Sequence, residues 1–241
     1  MAATLFYPPR TLRVPHCLGS ESRRNYRGTH RLVRPQIGWG DESKLARVVT
    51  AGYDRPLREL FLQVLVEPEV LMDGDHTLER CGAVTQAVLH VVFDQLDAQR
   101  VLLEGMLLKP NMVLPGVACC EQDSVDAVAD ATVRCLLRGV PAAVPGIAFL
   151  SGGQTAELAS ARLNAMNLRF KSGLPWALTF SFARAIQQPA LEAWRGVAAN
   201  VPAAQRALFH RADCNRAARR GRYDPDRDTE INGDADASRR A

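Results

Sequence analysis

The chain has 241 residues, 47% of them hydrophobic and 23% charged, with a formal net charge of +4. That is an ordinary globular composition, enough for one large domain or two small ones, and no run of about eighteen apolar residues predicts a membrane-spanning helix. The six cysteines are scattered, with a vicinal pair at Cys119–Cys120 and no C-x-x-C, and the five histidines show no H-x-x-x-H or H-E-x-x-H spacing. They read as reduced thiols of a cytoplasmic protein, not as a disulfide frame or zinc site, so no metal or other cofactor is expected. His210 and Cys214 lie one helical turn apart, but two ligands are too few for a metal.

Residues 1–40 carry Arg10, Arg13, Arg23, Arg24, Arg27, Arg31 and Arg34 against the single acid Glu21. Pro8, Pro9, Pro15 and Pro35 and the lack of apolar periodicity argue against packed structure there. The charge bias suits either a disordered extension or an organelle transit segment, which would replace the cytoplasmic assignment. Aromatic residues are not regularly interleaved, which argues against nucleic-acid binding. Asp41 to Leu62 has the apolar spacing of a helix, weakened by Gly52 and Pro56. The predicted organisation is a basic segment over 1–63, poorly ordered or partly helical, a domain over 64–223, and a flexible polar tail over 224–241.

From Val64 the pattern changes. Val64 to Val70 reads as a short apolar strand with Glu67 and Glu69 at its end, and His76 to Ala98 has helical spacing. Val101 to Lys109 reads as a second strand, stopped by Pro110 and ending in Lys109. Ser124 opens a helix that Gly139 closes, and Ala143 to Leu150 is a third strand. It runs through Ser151-Gly152-Gly153 into a helix over Thr155–Asn167. Leu178 to Arg184 is a fourth strand, and Asn200-Val-Pro202 starts a last helix that runs to about Arg220. Strand–helix alternation of this length predicts a parallel α/β architecture, with Glu67, Lys109, Ser151, Ser181 and Arg184 all near strand C-termini.

Those positions suit particular chemistry. Met106, Leu107 and Leu108 would strip water from the Lys109 amine, disfavouring its charged form and lowering its pKa from about 10.4. A nucleophilic lysine needs that depression. The other reading is a strand-end lysine whose amine snorkels into solvent. A glycine pair between strand and helix lets backbone N–H groups approach an anion, though Ser-Gly-Gly is also a plain tight turn.

In this order and spacing the chain resembles the class I fructose-bisphosphate aldolases. The matching stretches include Val-Glu67-Pro-Glu-Val, Leu-Glu-Gly-Met-Leu-Leu-Lys109-Pro-Asn-Met, Phe-Leu-Ser151-Gly-Gly-Gln, Leu163-Asn-Ala-Met-Asn167 and Leu-Thr-Phe-Ser181-Phe-Ala-Arg184. The resemblance implies the C-terminal half of a TIM (β/α)8 barrel, with four recognisable βα units from about Val64 to Tyr223. It further implies a glycolytic lyase that splits fructose 1,6-bisphosphate through a Schiff base on Lys109, with Glu67 as acid/base group. Ser151, Gly152, Gly153, Ser181 and Arg184 would hold one phosphate of the sugar substrate. The family's earlier strands, with their share of the active site, have no match in residues 1–63, and Ala183 stands where the family has glycine. A half barrel would leave two strand edges open and favour a homo-oligomer. The alternative is an inactive remnant that acts only by subunit association.

Overall fold

The structure, a computed structural model, describes residues 2–5, 30–31, 64–226 and 228. Its frame is a run of parallel strands, β3 (Val64–Glu67), β4 (Met106–Leu108), β5 (Gly146–Phe149) and β6 (Ala177–Phe180), each paired with the next in sequence. The register lines up Val66, Leu108, Ile147 and Leu178 in one row, none more than 3% exposed. Helices α1 (Leu78–Ala98), α2 (Val125–Gly139), α3 (Ala156–Phe170) and α4 (Arg184–Trp194) follow these strands in turn, and α5 (Val201–Ala218) closes the described domain. Four consecutive βα units of this kind are part of a TIM barrel.

The first three helices begin alike. Thr77, Ser124 and Thr155 each cap a helix by accepting a hydrogen bond from the backbone N–H three residues on. Each first turn also carries an acid, Glu79, Asp126 or Glu157, beside the positive end of the helix dipole. In α1 the buried stripe runs through Leu78, Cys81, Thr85, Leu89, Val92, Phe93 and Leu96. Val84, Val88 and Val91 lie half-buried at its flanks.

Several expectations are corrected. The first strand stops at Glu67 and does not run to Val70, since Pro68 has no N–H to give the ladder, and the second is shorter than Val101–Lys109, because Leu103–Gly105 forms a 3-10 turn closed by a hydrogen bond from Gly105 N–H to the Leu102 carbonyl. Leu178–Arg184 is not one strand, since the ladder ends at Phe180 and Arg184 opens α4. One of the two strand edges expected to be open is covered: β1 (Ala2–Leu5) pairs antiparallel with β3, and β2 (His30–Arg31) pairs with β1. No periodicity marked those strands, because a short edge strand needs no buried stripe. At the other end, β6 is the last strand of the described sheet.

The helix expected within Asp41–Leu62 lies outside the described residues, as do 229–241. Asp228 departs from the flexible tail expected after Tyr223, for it is 7% exposed and hydrogen-bonded within the domain. Among the described residues no helix is long and apolar enough to cross a membrane.

Candidate active site

The parallel register places Glu67 beside Lys109. Val66 pairs with Leu108, and the ladder continues one step further through a hydrogen bond from Lys109 N–H to the Val66 carbonyl at 2.7 Å. Neighbouring in-register residues on parallel strands project from the same face. That face also holds Leu65 and Leu107, opposite the helix-covered row of Val66 and Leu108. Lys109 Nζ accordingly sits 3.4 Å from Glu67 Oε2, the two side chains being 19% and 16% exposed. The amine is turned onto a carboxylate, not released into water as snorkelling would have it.

The same rim continues across the sheet. Leu150 N–H donates to the Pro110 carbonyl at 3.0 Å, and Ser181 N–H donates to the Phe149 carbonyl at 2.8 Å. These bonds bring the residues following β4, β5 and β6 together beyond the regular ladder. Ser151 is buried and begins a four-residue turn in which Gln154 N–H donates to the Ser151 carbonyl at 3.1 Å. Its central glycines have positive φ, 53° at Gly152 and 74° at Gly153, the signature of a type I′ turn. A Cβ on Gly153 would lie 2.6 Å from Met72 Sδ, so Met72 packs directly against the turn.

Two bracing features carried no assignment in the sequence reading. Asn111, buried at 4% exposure, accepts from Val70 N–H at 2.9 Å and donates to Thr85 Oγ1 and the Met112 carbonyl. It thereby ties the loop after Glu67 to the strand end that carries Lys109. Beyond it, the loops after β3 and β4 are stitched by backbone bonds from Gly116, Val117 and Ala118 N–H to the His76, Met72 and Gly74 carbonyls. An asparagine directly after a strand-ending proline was the available signal for the first. The second has none, because backbone pairing between loops leaves no residue pattern.

Arg184 is exposed at the first position of α4. A cation there opposes the helix dipole, and Ala183 supplies no side-chain cap. The arrangement favours an anion beside the first turn, where it would meet both the guanidinium and unpaired N–H groups. Ala183 has φ −100°, outside the left-handed region that favours glycine.

A family model described as fructose-bisphosphate aldolase class-I matches residues 44–238. The chain belongs to this family. It is 54% identical to mouse fructose-bisphosphate aldolase C over 160 residues, covering 66% of this chain and 44% of that protein. Chicken fructose-bisphosphate aldolase B is 56% identical over 161 residues, covering 66% and 43%. The Dictyostelium discoideum fructose-bisphosphate aldolase is 47% identical over 173 residues, covering 72% and 48%. The fructose-bisphosphate aldolase of Plasmodium falciparum, solved in complex with TRAP and a small-molecule inhibitor, superposes with a TM-score of 0.64 at 49% identity, covering 66% of this chain and 46% of that one. The chain thus spans under half the length of these aldolases.

The aldolase match runs past Tyr223 and takes in a buried polar cluster beneath α5. Asp228 Oδ1 accepts from the Arg211 guanidinium and from Cys214 Sγ, and it pairs with His210 Nε2 at 2.8 Å, while Oδ2 accepts from the Tyr223 hydroxyl. Arg211 also donates to the Ala156 carbonyl and to Ser160 Oγ, so the carboxylate fastens α5 to the start of α3. Burial first, and then the hydrogen bond and charge of Asp228, push the Cys214 thiol up to about 12. His210, Cys214 and Asp228 bring three ligand atoms within 4.8 Å of one another, one more group than the sequence reading counted. Arg211 already neutralises that carboxylate, and its charge opposes a cation there. The cluster therefore reads as an anchor.

Proposed function

We propose that the chain carries the Schiff-base side of a class I aldolase site and acts on phosphorylated ketoses, with fructose 1,6-bisphosphate as the glycolytic substrate. The observation that carries this reading is the Lys109 amine held 3.4 Å from the Glu67 carboxylate at adjacent ends of parallel strands. Unprotonated Lys109 Nζ forms a C–N bond with the ketose carbonyl carbon, and the carbonyl oxygen takes a proton to give a carbinolamine. Glu67 protonates the departing hydroxyl, water leaves, and an iminium results. The electron pair of the bond between the third and fourth carbons flows to the iminium nitrogen. Glyceraldehyde 3-phosphate departs as its hydroxyl proton is removed, and the enamine returns dihydroxyacetone phosphate after protonation and hydrolysis. The iminium is its own electron sink, so the reading calls for no metal.

A positioned acid/base group of this kind is worth about 10²–10⁴ in rate. Ser151, Gly152, Gly153, Ser181 and Arg184 would hold one phosphate, supported by the paired-glycine turn and by the cation at the uncapped start of α4. A cytoplasmic setting and self-association through the β6 edge belong to the same proposal, the edge being a ready template for another strand.

Incubation with dihydroxyacetone phosphate and borohydride should fix label on Lys109, as read by mass spectrometry of peptides. Lys109→Met should abolish the label, and Glu67→Gln should slow its formation about 10²-fold or more. Folded protein that takes no label at Lys109 would overturn the reading and leave association without catalysis in its place.

A further inference from the structure

We propose that Arg162 is a positioning residue that holds the Ser151–Gly152 peptide with its N–H facing an incoming phosphate. This rests on the phosphate-binding role proposed above for the turn. Arg162 lies on α3, is 5% exposed, and donates from Nη1 to Gln154 Oε1 at 2.9 Å. Its Nε is buried and has no hydrogen-bond partner among the described residues. A guanidinium is a donor only, so the group it meets on Gln154 must be the amide oxygen. That fixes the orientation of the amide and sends Nε2 the other way, 3.0 Å from the Ser151 carbonyl and 3.6 Å from Met112 Sδ.

The Ser151 carbonyl therefore accepts from two donors on Gln154, the backbone N–H at 3.1 Å and the side-chain Nε2 at 3.0 Å. Both Gln154 and Ser151 are buried, so these bonds draw the carbonyl into the protein. Across a trans peptide the C=O and the next N–H point in opposite directions. The Gly152 N–H is thereby aimed out of the turn. Without Arg162 the Gln154 amide loses the contact that selects its orientation, and an outward Ser151 carbonyl would repel an anion. The charge also acts directly, since a buried guanidinium behind the turn favours an anion in front of it.

The test is a ¹⁵N-resolved NMR titration of the full chain with inorganic phosphate, read at the Gly152 amide. The wild type should give a saturable shift. Arg162→Met should lose it and weaken the apparent Kd about tenfold or more, the worth of a charge-assisted hydrogen bond. Arg162→Lys keeps a donor-only cation and should restore most of the affinity, a rescue that a mere packing role would not produce. Should Arg162→Met fail to fold, Gln154→Leu makes the same comparison with the guanidinium in place, and a similar loss is expected. A folded Arg162→Met or Gln154→Leu variant that binds phosphate like the wild type, with the Gly152 shift intact, overturns the role of Arg162 alone. Absence of a saturable Gly152 shift in the wild type overturns the phosphate reading itself, and this proposal with it.

Discussion

Replacing Gly116 with alanine is expected to part the seam between the loops that follow β3 and β4. A Cβ at that position would lie 2.2 Å from the Gly74 carbonyl oxygen and 2.7 Å from its carbon. The obstacle is backbone, so no side-chain rotation relieves it and one loop must move. The bonds at risk are those from Gly116, Val117 and Ala118 N–H to the His76, Met72 and Gly74 carbonyls, each 2.8 Å long. At about 1 kcal/mol apiece, and with water able to replace part of what is lost on exposed loops, the change should cost about 2–3 kcal/mol. For a domain of this size that lowers Tm by roughly 4–12 °C. Gly173→Ala is the control, since a Cβ there meets nothing within 4 Å, and it should be neutral or slightly stabilising. Urea unfolding of both variants beside the wild type measures the difference. A Gly116→Ala protein as stable as Gly173→Ala would refute the claim that this seam braces the site.

Asp228→Asn should destabilise the chain by about 3 kcal/mol, because it leaves the buried Arg211 guanidinium with only the exposed Glu157 carboxylate, 3.8 Å away, as countercharge, and an unchanged denaturation midpoint would contradict that. The acid limb of stability should report the same group. Burial alone would raise the Asp228 carboxyl, but hydrogen bonds from Tyr223, Arg211 and Cys214 outweigh it and hold the folded-state value below the ordinary carboxylate range. Its contribution is therefore present above about pH 4, the unfolded-state value, and is lost as pH falls through the lower folded-state value. Asp228→Asn should flatten that part of a stability–pH profile, and parallel profiles for the two proteins would count against it. Native alkylation should separate the thiols: Cys120 is exposed and should react with iodoacetamide at pH 8, while Cys135 and Cys214, each pushed up to about 12 chiefly by burial, should stay unlabelled until the chain unfolds.

Much of the fold was legible from local chemistry. Ser124 and Thr155 precede apolar-periodic stretches and cap the helices expected there, because a hydroxyl before a helix satisfies its first N–H groups whatever surrounds it. The leucine run before Lys109 is a buried parallel strand, although only Met106–Leu108 joins the ladder. Where the reading fell short, the cause is partnership across the chain. Arg184 looked like a strand end, yet hydrogen bonding stops the ladder at Phe180. Asp228 looked like part of a mobile tail, for one acid among several in a polar, acidic stretch gives no sign that Arg211, seventeen positions earlier, awaits it in the core.

The sequence by itself determined that Glu67, Lys109 and Ser151 stand at or just past the C-terminal ends of strands, since apolar runs, prolines and glycines act within a few positions of where they occur. It could not set Glu67 against Lys109, nor Arg162 behind Ser151, nor β1 along the edge of β3. Those distances depend on which strands pair and in what register. Register is decided by the burial of the whole row from Val66 to Leu178 at once, and only the assembled sheet contains that row.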